Sequence, residues 1–351
     1  MRYILFLNRL KSIAGGVERM VVNYANYLVA ENHSVVIITV EKREGEPFYD
    51  LDNKVEYIGL GKMILDQKSS IYDSFSRIIK LRRFCRLLSP DYILAFQFGP
   101  FKIARLSSLF LGQKVVMMER NSPQRYVYIS EGSSIMRNLW LLMSYRIAVQ
   151  FSEYGDYYPR YLRHKIITSR NFTHCGSVLL PGKPSPDILF VGRFGFQKNT
   201  DLVFEVFSVL AEKHPSMNLY MMGENIACRY NSNYQNLILS EPKRDWFEMC
   251  RYSIVVLLSR FEGCPNVFLE AMSIGIPCFG LDSVDGIHNL LSENRGFLSK
   301  TKRAVDIADD LFMYRQNLDL QNMHRQNAYD YVNSFHEKTS VVSGFIKELN
   351  A

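Results

Sequence analysis

The stretch from Ser259 to Pro277 reads SRFEGCPNVFLEAMSIGIP and sets two carboxylates, Glu262 and Glu270, around a Gly-Cys-Pro-Asn turn. The apolar, β-branched run at 253–258 has the length of a buried strand. Pro265 fits the first position of a helix, which Gly275 and Pro277 end. Strand, loop and helix together aim a helix N-terminus at the strand's C-terminal end. Its free N–H groups suit phosphate or sugar oxygens, with Cys264, Pro265, Asn266 and Val267 forming the turn around them. Glu262 and Glu270 add acceptors for hydroxyl groups. One carboxylate near a helix start is commonly a cap or a dipole partner. Two framing a single tight turn form a stronger signal.

A second constellation follows the apolar run at 188–191, where Gly192-Arg193-Phe194-Gly195-Phe196-Gln197-Lys198-Asn199 delivers two cations five residues apart. Ligands of open α/β sheets sit at such strand ends. The planar fork of Arg193 suits phosphate oxygens and Lys198 adds a point charge, which together offset a diphosphate. The plain alternative is a pair of solvated loop cations. Gly15 and Gly16 follow the first apolar run and open a helix patterned Val17, Met20, Val21, Tyr24, Ala25, Leu28. A glycine pair there lets backbone N–H groups approach a ligand. A nicotinamide-dinucleotide reading needs a Gly-x-Gly-x-x-Gly spacing that is missing, although Glu41 could serve as its ribose acid. Asp50 and Asp52 form a formal Asp-x-Asp, but in a connecting loop after Glu44-Gly45-Glu46-Pro47 and not at a core strand end. A metal role for them is disfavoured.

The elements that must hold these residues are short apolar strands alternating with helical patterns, the mark of α/β architecture with parallel sheets. Strands are expected at 3–7, 34–40, 55–60, 92–96, 114–118 and 146–149. The pattern restarts at 188–191, with 218–222, 237–239, 253–258 and 277–280. Two consecutive α/β units follow: a first domain over 1–170, a linker over 171–187 rich in proline and glycine, and a second domain over 188–330. A last helical segment, 331–351, is expected to cross back to the first domain. The chain's 351 residues also fit two domains, because single cores stop growing near about 250–300 residues.

Composition removes several classes. At 47% hydrophobic and 22% charged, the chain is that of an ordinary globular protein. The longest uncharged apolar stretch, 138–145, is closed by Arg137 and Arg146 and is too short for a bilayer. The first nine residues read as a buried strand and not a signal peptide. Six cysteines without a C-x-x-C pair suggest reduced core thiols in a cytoplasmic protein. Net charge is +7, but residues 1–170 carry 25 basic against 15 acidic groups, and residues 171–351 carry 17 against 20. A basic first half favours an anionic partner such as a lipid surface, a phosphorylated substrate or nucleic acid. Solvated surface is the plain alternative. A helix at 69–88 carries Arg77, Lys80, Arg82, Arg83 and Arg86 among apolar residues. A second, at 126–146, carries Trp140 to Met143. Both are candidates for membrane contact, but the charges of 69–88 are spread round most of the helix, and a core helix with basic flanks is the commoner case for either.

The sequence resembles the retaining, GT-B-fold glycosyltransferases of family 4. Glu262 and Glu270 meet that family's Glu, seven residues, Glu signature, and every fixed position of E-G-x-P-N-x-x-L-E-A-M-x-x-G-x-P is present. Val191-Gly192-Arg193 with Gln197-Lys198-Asn199, the Gly15-Gly16-Val17-Glu18-Arg19 start, and Gly223-Glu224 extend the likeness over most of the chain. Glu119-Arg120-Asn121-Ser122-Pro123 and Val149-Gln150 look like bacterial members that extend lipid-linked oligosaccharides. The chain departs from many relatives in having no histidine after the 92–96 strand, and in Asp285-Gly286-Ile287-His288 where a Gly-Pro pair is commoner.

The resemblance implies two Rossmann-like domains facing each other across a cleft, and the transfer of a hexose or N-acetylhexosamine from a UDP-sugar to a polyprenyl-diphosphate-linked saccharide. It implies surface-polysaccharide synthesis, peripheral on the inner face of the cell membrane, with no metal, no separate cofactor and no nucleic acid. Arg193 and Lys198 would hold the diphosphate, Glu262 the donor sugar and Glu270 the ribose. The loop Ser240, Glu241, Pro242 would lie near the uracil, with Gly15, Gly16 and Gly223 also on the donor side. Glu119, Arg120 and Asn121 would face the acceptor. A GT-B-type epimerase or phosphorylase, and a basic nucleic-acid-binding module, are the alternatives.

Overall fold

A computed structural model describes residues 1–10, 15–41, 47–61, 71–129, 133–173, 187–223, 230, 232–241 and 254–351. Of the expected features, the middle of the linker (174–186), Glu224 and Pro242 lie outside these residues. The chain divides into two compact units. One contains Met1–Arg120, Ser130–Asn171 and Val341–Ala351, and the other Asn121–Ile129 and Phe172–Ser340.

The strands of the first unit are β1 (Arg2–Leu7), β2 (Ser34–Thr39), β3 (Glu56–Gly59), β4 (Tyr92–Phe96), β5 (Lys114–Met118), β6 (Arg146–Val149) and β7 (Ile166–Thr168). Its sheet order is β3-β2-β1-β4-β5-β6-β7, parallel throughout. The second unit pairs β8 (Ile188–Val191), β9 (Leu219–Met222), β10 (Leu237–Ser240), β11 (Ile254–Leu257), β12 (Cys278–Leu281) and β13 (Phe297–Ser299) in the order β10-β9-β8-β11-β12-β13, again parallel. Both are doubly wound sheets, and in each the strand order reverses beside its first strand. Loops leaving adjacent strands there diverge and open a crevice for ligands. The loops after β8 and β11 therefore belong at one mouth, as do those after β1 and β4 in the first unit.

The helices are α1 (Gly16–Ala30), α2 (Ile71–Leu88), α3 (Phe98–Ser107), α4 (Arg125–Tyr128), α5 (Ser134–Leu142), α6 (Arg160–Arg163), α7 (Thr200–Lys213), α8 (Asn266–Ser273), α9 (Asp285–Leu291), α10 (Ala304–Gln316), α11 (Leu318–Phe335) and α12 (Lys338–Asn350). Strands buried on both faces explain the near-continuous apolar runs: β4 and β11 are buried at every position. Each fully buried Val, Leu, Ile or Phe contributes about 1.5–3 kcal/mol, and this burial is the main force holding the helices to the sheets.

Two expectations need correction. The helix expected over 126–146 is two helices, α4 and α5, because α4 ends at its C-cap, Ile129, whose backbone is extended (φ −125°, ψ 114°). Arg77, one of the basic residues that made α2 a candidate for membrane contact, is buried at 5% exposure. It shares the inward stripe with Leu81 and Cys85 at four-residue spacing, while Tyr72, Phe75, Ile79 and Leu87 are exposed. The burial of Cys85 pushes its thiol up to about 12, consistent with an inert core residue.

Candidate active site in the second unit

The loop after β8 and the loop after β11 are stitched together. The Arg260 backbone N–H donates to the Gln197 carbonyl at 2.8 Å, and Gln197 Nε2 returns a bond to the Phe261 carbonyl at 3.2 Å. Asn199, held left-handed at φ 52°, caps the start of α7 and donates its amide to the Leu258 carbonyl at 3.1 Å. This frame brings the two candidate groups into contact. Lys198 Nζ lies 2.7 Å from Glu262 Oε1, and the same oxygen accepts the Ser259 hydroxyl at 2.6 Å. Lys198 and Glu262 sit 64 residues apart in sequence, and only the adjacency of β8 and β11 joins them.

Glu262 is 5% exposed and Ser259 is fully buried, so the carboxylate is held from one side by a buried hydroxyl. Ser259 is a site residue that motif spacing did not single out, although it lies three places before Glu262. Arg193 stands exposed beyond β8, with no hydrogen bond or ion pair among the described residues. Its guanidinium is therefore available to an anion.

The turn behaves much as its sequence suggests, with one shift in register. Pro265 is the N-cap (φ −69°, ψ 110°), and Asn266, not Pro265, opens α8. Cys264 and Glu270 are buried, while Asn266 and Val267 are half-exposed at the helix start. Gly275, at φ 74°, ends the helix in the left-handed conformation that glycine tolerates. The start of α9 is held against this turn by Gly286, where any side chain would strike the backbone oxygens of Glu262 and Gly263.

Gly223, at the end of β9, is similarly confined: a Cβ would meet the Phe194 ring and the Gly192 carbonyl oxygen. Its N–H donates to the Ser240 carbonyl at 3.1 Å, which ties the ends of β9 and β10 together. The Ser240 hydroxyl is buried and has no hydrogen-bond partner among the described residues. Glu241 follows it.

In the first unit, Gly15 is the N-cap of α1 and Gly16 its first residue. The Glu18 carboxylate lies over Gly15 where a side chain would otherwise be, and it pairs with Arg9 at 3.9 Å. A helix start covered by a carboxylate suits a hydroxyl better than a phosphate.

Glu119 and Arg120 close β5. The Arg120 guanidinium is buried and donates to the Ser169 carbonyl and hydroxyl and to Asn171 Oδ1, at 2.6–3.1 Å. Ser169 Oγ also meets the Tyr24 hydroxyl at 2.7 Å, and burial holds that phenol above its ordinary value. This is the geometry of a tie between strand ends. Asn121 belongs to the second unit.

At the β1/β4 mouth stands Gln97, where no histidine follows the strand. Its backbone adopts φ 75°, ψ 161°, a region almost confined to glycine, and its side chain meets Asn8 at 3.5 Å. Spacing alone carries no signal of that strain. Asp50 and Asp52 lie in a loop whose backbone is held by Asn26 at 2.8 and 2.9 Å. Among the described residues, no group of three or more His, Cys, Asp or Glu side chains could hold a metal ion. No helix among them is long and apolar enough to cross a membrane.

The family model of glycosyl transferases group 1 matches residues 178–331, and that of glycosyltransferase family 4 matches residues 14–152. The chain belongs to the GT-B glycosyltransferases. A glycosyltransferase of Haemophilus influenzae, described as uncharacterized, is 24% identical over 331 residues, 88% of each chain. The amylovoran biosynthesis glycosyltransferase AmsD of Erwinia amylovora is 22% identical over 306 residues, covering 81% of this chain and 82% of its own. The structure of a point mutant of S. aureus TarM in complex with Fondaparinux, alpha-GlcNAc-glycerol and UDP matches with a TM-score of 0.80 at 11% identity, over 100% of both chains. Glycosyltransferases of this kind move a sugar between molecules, so the chain is a transferase, and one of its relatives is named for amylovoran biosynthesis.

Proposed function

We propose that this glycosyltransferase moves a hexose or N-acetylhexosamine from a UDP-sugar to a lipid-linked saccharide, keeping the anomeric configuration and needing no metal. The observation that carries the reading is the Lys198–Glu262–Ser259 cluster, with Arg193 exposed in the same loop as Lys198 and α8 opening four residues after Glu262. Arg193 and Lys198 bind the diphosphate and stabilise the charge that grows on the departing UDP. An ammonium has three donors, so Lys198 can keep Glu262 while it reaches a phosphate oxygen. Glu262, its Oε1 fixed by Ser259, accepts from a donor-sugar hydroxyl, and Glu270 takes the ribose hydroxyls. The unpartnered Ser240 hydroxyl fits a hydrogen bond to the nucleobase.

In the transfer, the acceptor oxygen forms its bond to the anomeric carbon on the face from which UDP departs. The bond to the phosphate oxygen breaks, and that oxygen takes the acceptor's proton. UDP and an α-glycoside, both named in the S. aureus complex, are what such retention leaves from a UDP-α-sugar.

On the same reading the first unit meets the acceptor at the cytoplasmic face of an anionic membrane. Besides the basic excess, α5 supports this: Ile135, Met136, Leu139 and Leu142 are exposed along it, a run of apolar surface that water alone does not favour. The test is a panel of UDP-sugars. A donor at 100 times its dissociation constant raises stability by about 2.7 kcal/mol, read as a rise in melting temperature. Product analysis with and without acceptor then separates transfer from epimerisation or phosphorolysis. A chain stabilised by no UDP-sugar would overturn the reading.

A further inference from the structure

The second unit carries an aromatic cluster at the edge of the stitched loops. Tyr128 of α4 stacks on Phe261 with ring centres 5.9 Å apart and planes 27° apart, and it meets Phe196 edge-on at 6.4 Å. Phe261 directly precedes Glu262, and Phe196 is two residues before Lys198. Phe261 is buried, but Tyr128 is 41% and Phe196 55% exposed. Clustered large rings half in water beside a polar site are the kind of surface that marks a binding site.

The segment that carries Tyr128 is firmly placed. Ser122 Oγ donates to Asp285 Oδ2 at 3.0 Å, Gln124 Nε2 donates to the Ser283 carbonyl at 2.7 Å, and Gln124 Oε1 accepts the Asp285 N–H at 3.3 Å. These bonds fix it to the start of α9, which Gly286 in turn presses onto the Glu262–Gly263 backbone. The ring is therefore in register with the carboxylate. Arg260 completes the set. Its guanidinium lies over Phe196 at 4.3 Å and donates one bond to the Phe196 carbonyl, and among the described residues its other four N–H groups have no acceptor.

We propose that Tyr128, Phe196 and Arg260 form a binding platform for a pyranose ring of the acceptor saccharide. The inference rests on the function proposed above and names the part of the second unit that receives the sugar being extended. One ring face of Tyr128 is covered by Phe261, so the other offers a flat apolar surface. A pyranose presents axial C–H bonds on one face and hydroxyls around its rim. The C–H face settles on an aromatic ring through burial and weak C–H···π contacts, and a guanidinium donates to the rim hydroxyls. An alkyl or prenyl chain has no use for Arg260's donors, which is why the geometry points to sugar.

The experiment is saturation-transfer NMR on the full chain with UDP present. The probes are the methyl α-glycosides of glucose, galactose and N-acetylglucosamine, with farnesyl diphosphate as the lipid control. In the unmodified protein, ring hydrogens on one face of at least one glycoside should receive saturation. Tyr128→Ala and Phe196→Ala should each lower that signal about fivefold or more, whereas Tyr128→Trp should keep it. Equal signals in all proteins, no glycoside signal at all, or transfer to the farnesyl methyls alone would overturn the platform. The melting-temperature rise given by UDP is recorded for every variant. If it persists while the glycosides ignore Tyr128, the platform fails and the donor site stands. If UDP gives no rise but glycoside transfer depends on Tyr128, the donor reading fails instead.

Discussion

At the scale of single residues, Lys198 and Glu262 show what sequence spacing can and cannot say. Their types at two strand ends were legible, because cations and carboxylates after buried runs are the expected furniture of a crevice. Their pairing at 2.7 Å was not, since it depends on β8 and β11 being neighbours. The direction of Arg120 was equally hidden: a charged residue at a strand end reads as open to a ligand, and here it is turned inward onto Ser169 and Asn171. Lys198→Ala should lower turnover about 100-fold or more, as the loss of a donor to a charge developing in the transition state does, with the donor's KM less affected. Glu270→Ala should act mainly on UDP affinity, read by calorimetry. Unchanged values in both variants would remove the donor-site assignment. On the proposal that fixed cations take the place of a bound one, excess EDTA should leave the rate within about twofold; complete loss restored by magnesium or manganese would return Asp50 and Asp52 to consideration.

Among elements, the buried strands were the easiest to read, and β4, β5, β6 and β8 begin and end where their apolar runs do. The two that escaped, β7 and β13, are edge strands of three residues each, too short to establish any period. Close approaches between elements were also invisible, because a glycine in sequence does not reveal what crowds it. Gly223→Ala should destabilise the chain by about 1–3 kcal/mol as overpacking does, since the Phe194 ring and the Gly192 carbonyl occupy the space; the midpoint of urea unfolding measures this. The pair formed by α10 and α11 should confer acid sensitivity. His324 on α11 is buried beside the Tyr314 hydroxyl at 3.1 Å, and desolvation lowers its pKa below the ordinary 6.5. The unfolded chain therefore takes up this proton first as pH falls. The contribution is complete above about pH 6.5 and is lost on descending towards the folded value, by at most about 1.4 kcal/mol per pH unit. His324→Gln should flatten the stability profile below about pH 6.5 in denaturant melts; an unaltered slope would show that other groups set it.

Over the whole molecule, the charge excess of the first half and the apolar face of α5 make one joint expectation. Neutralising Lys80, Arg83 and Arg86 should weaken binding to anionic vesicles, at about 1 kcal/mol for each basic residue close to the surface, and raised salt should do the same. Replacing Ile135 and Leu139 with Ser should weaken binding in a way that salt does not mimic. UDP affinity should be unaltered in both variants. Co-sedimentation with liposomes at low and high salt, beside a UDP titration, is the measurement, and indifference to anionic vesicles at low salt would assign the basic excess to solvated surface. The division into units has a consequence of another kind. The first unit includes Val341–Ala351, where Phe345 meets Tyr24 edge-on, Asn350 accepts the Tyr92 hydroxyl at 2.7 Å, and Glu348 accepts the Thr168 N–H at 2.8 Å. A ribosome adding about 5–20 residues per second needs roughly 10–30 s to travel from Asn171 to Val341. For that interval the half made first waits without its closing piece, and the partners of Tyr24, Tyr92 and Thr168 on that piece are not yet made. The half made second, in contrast, is finished almost as soon as it leaves the tunnel.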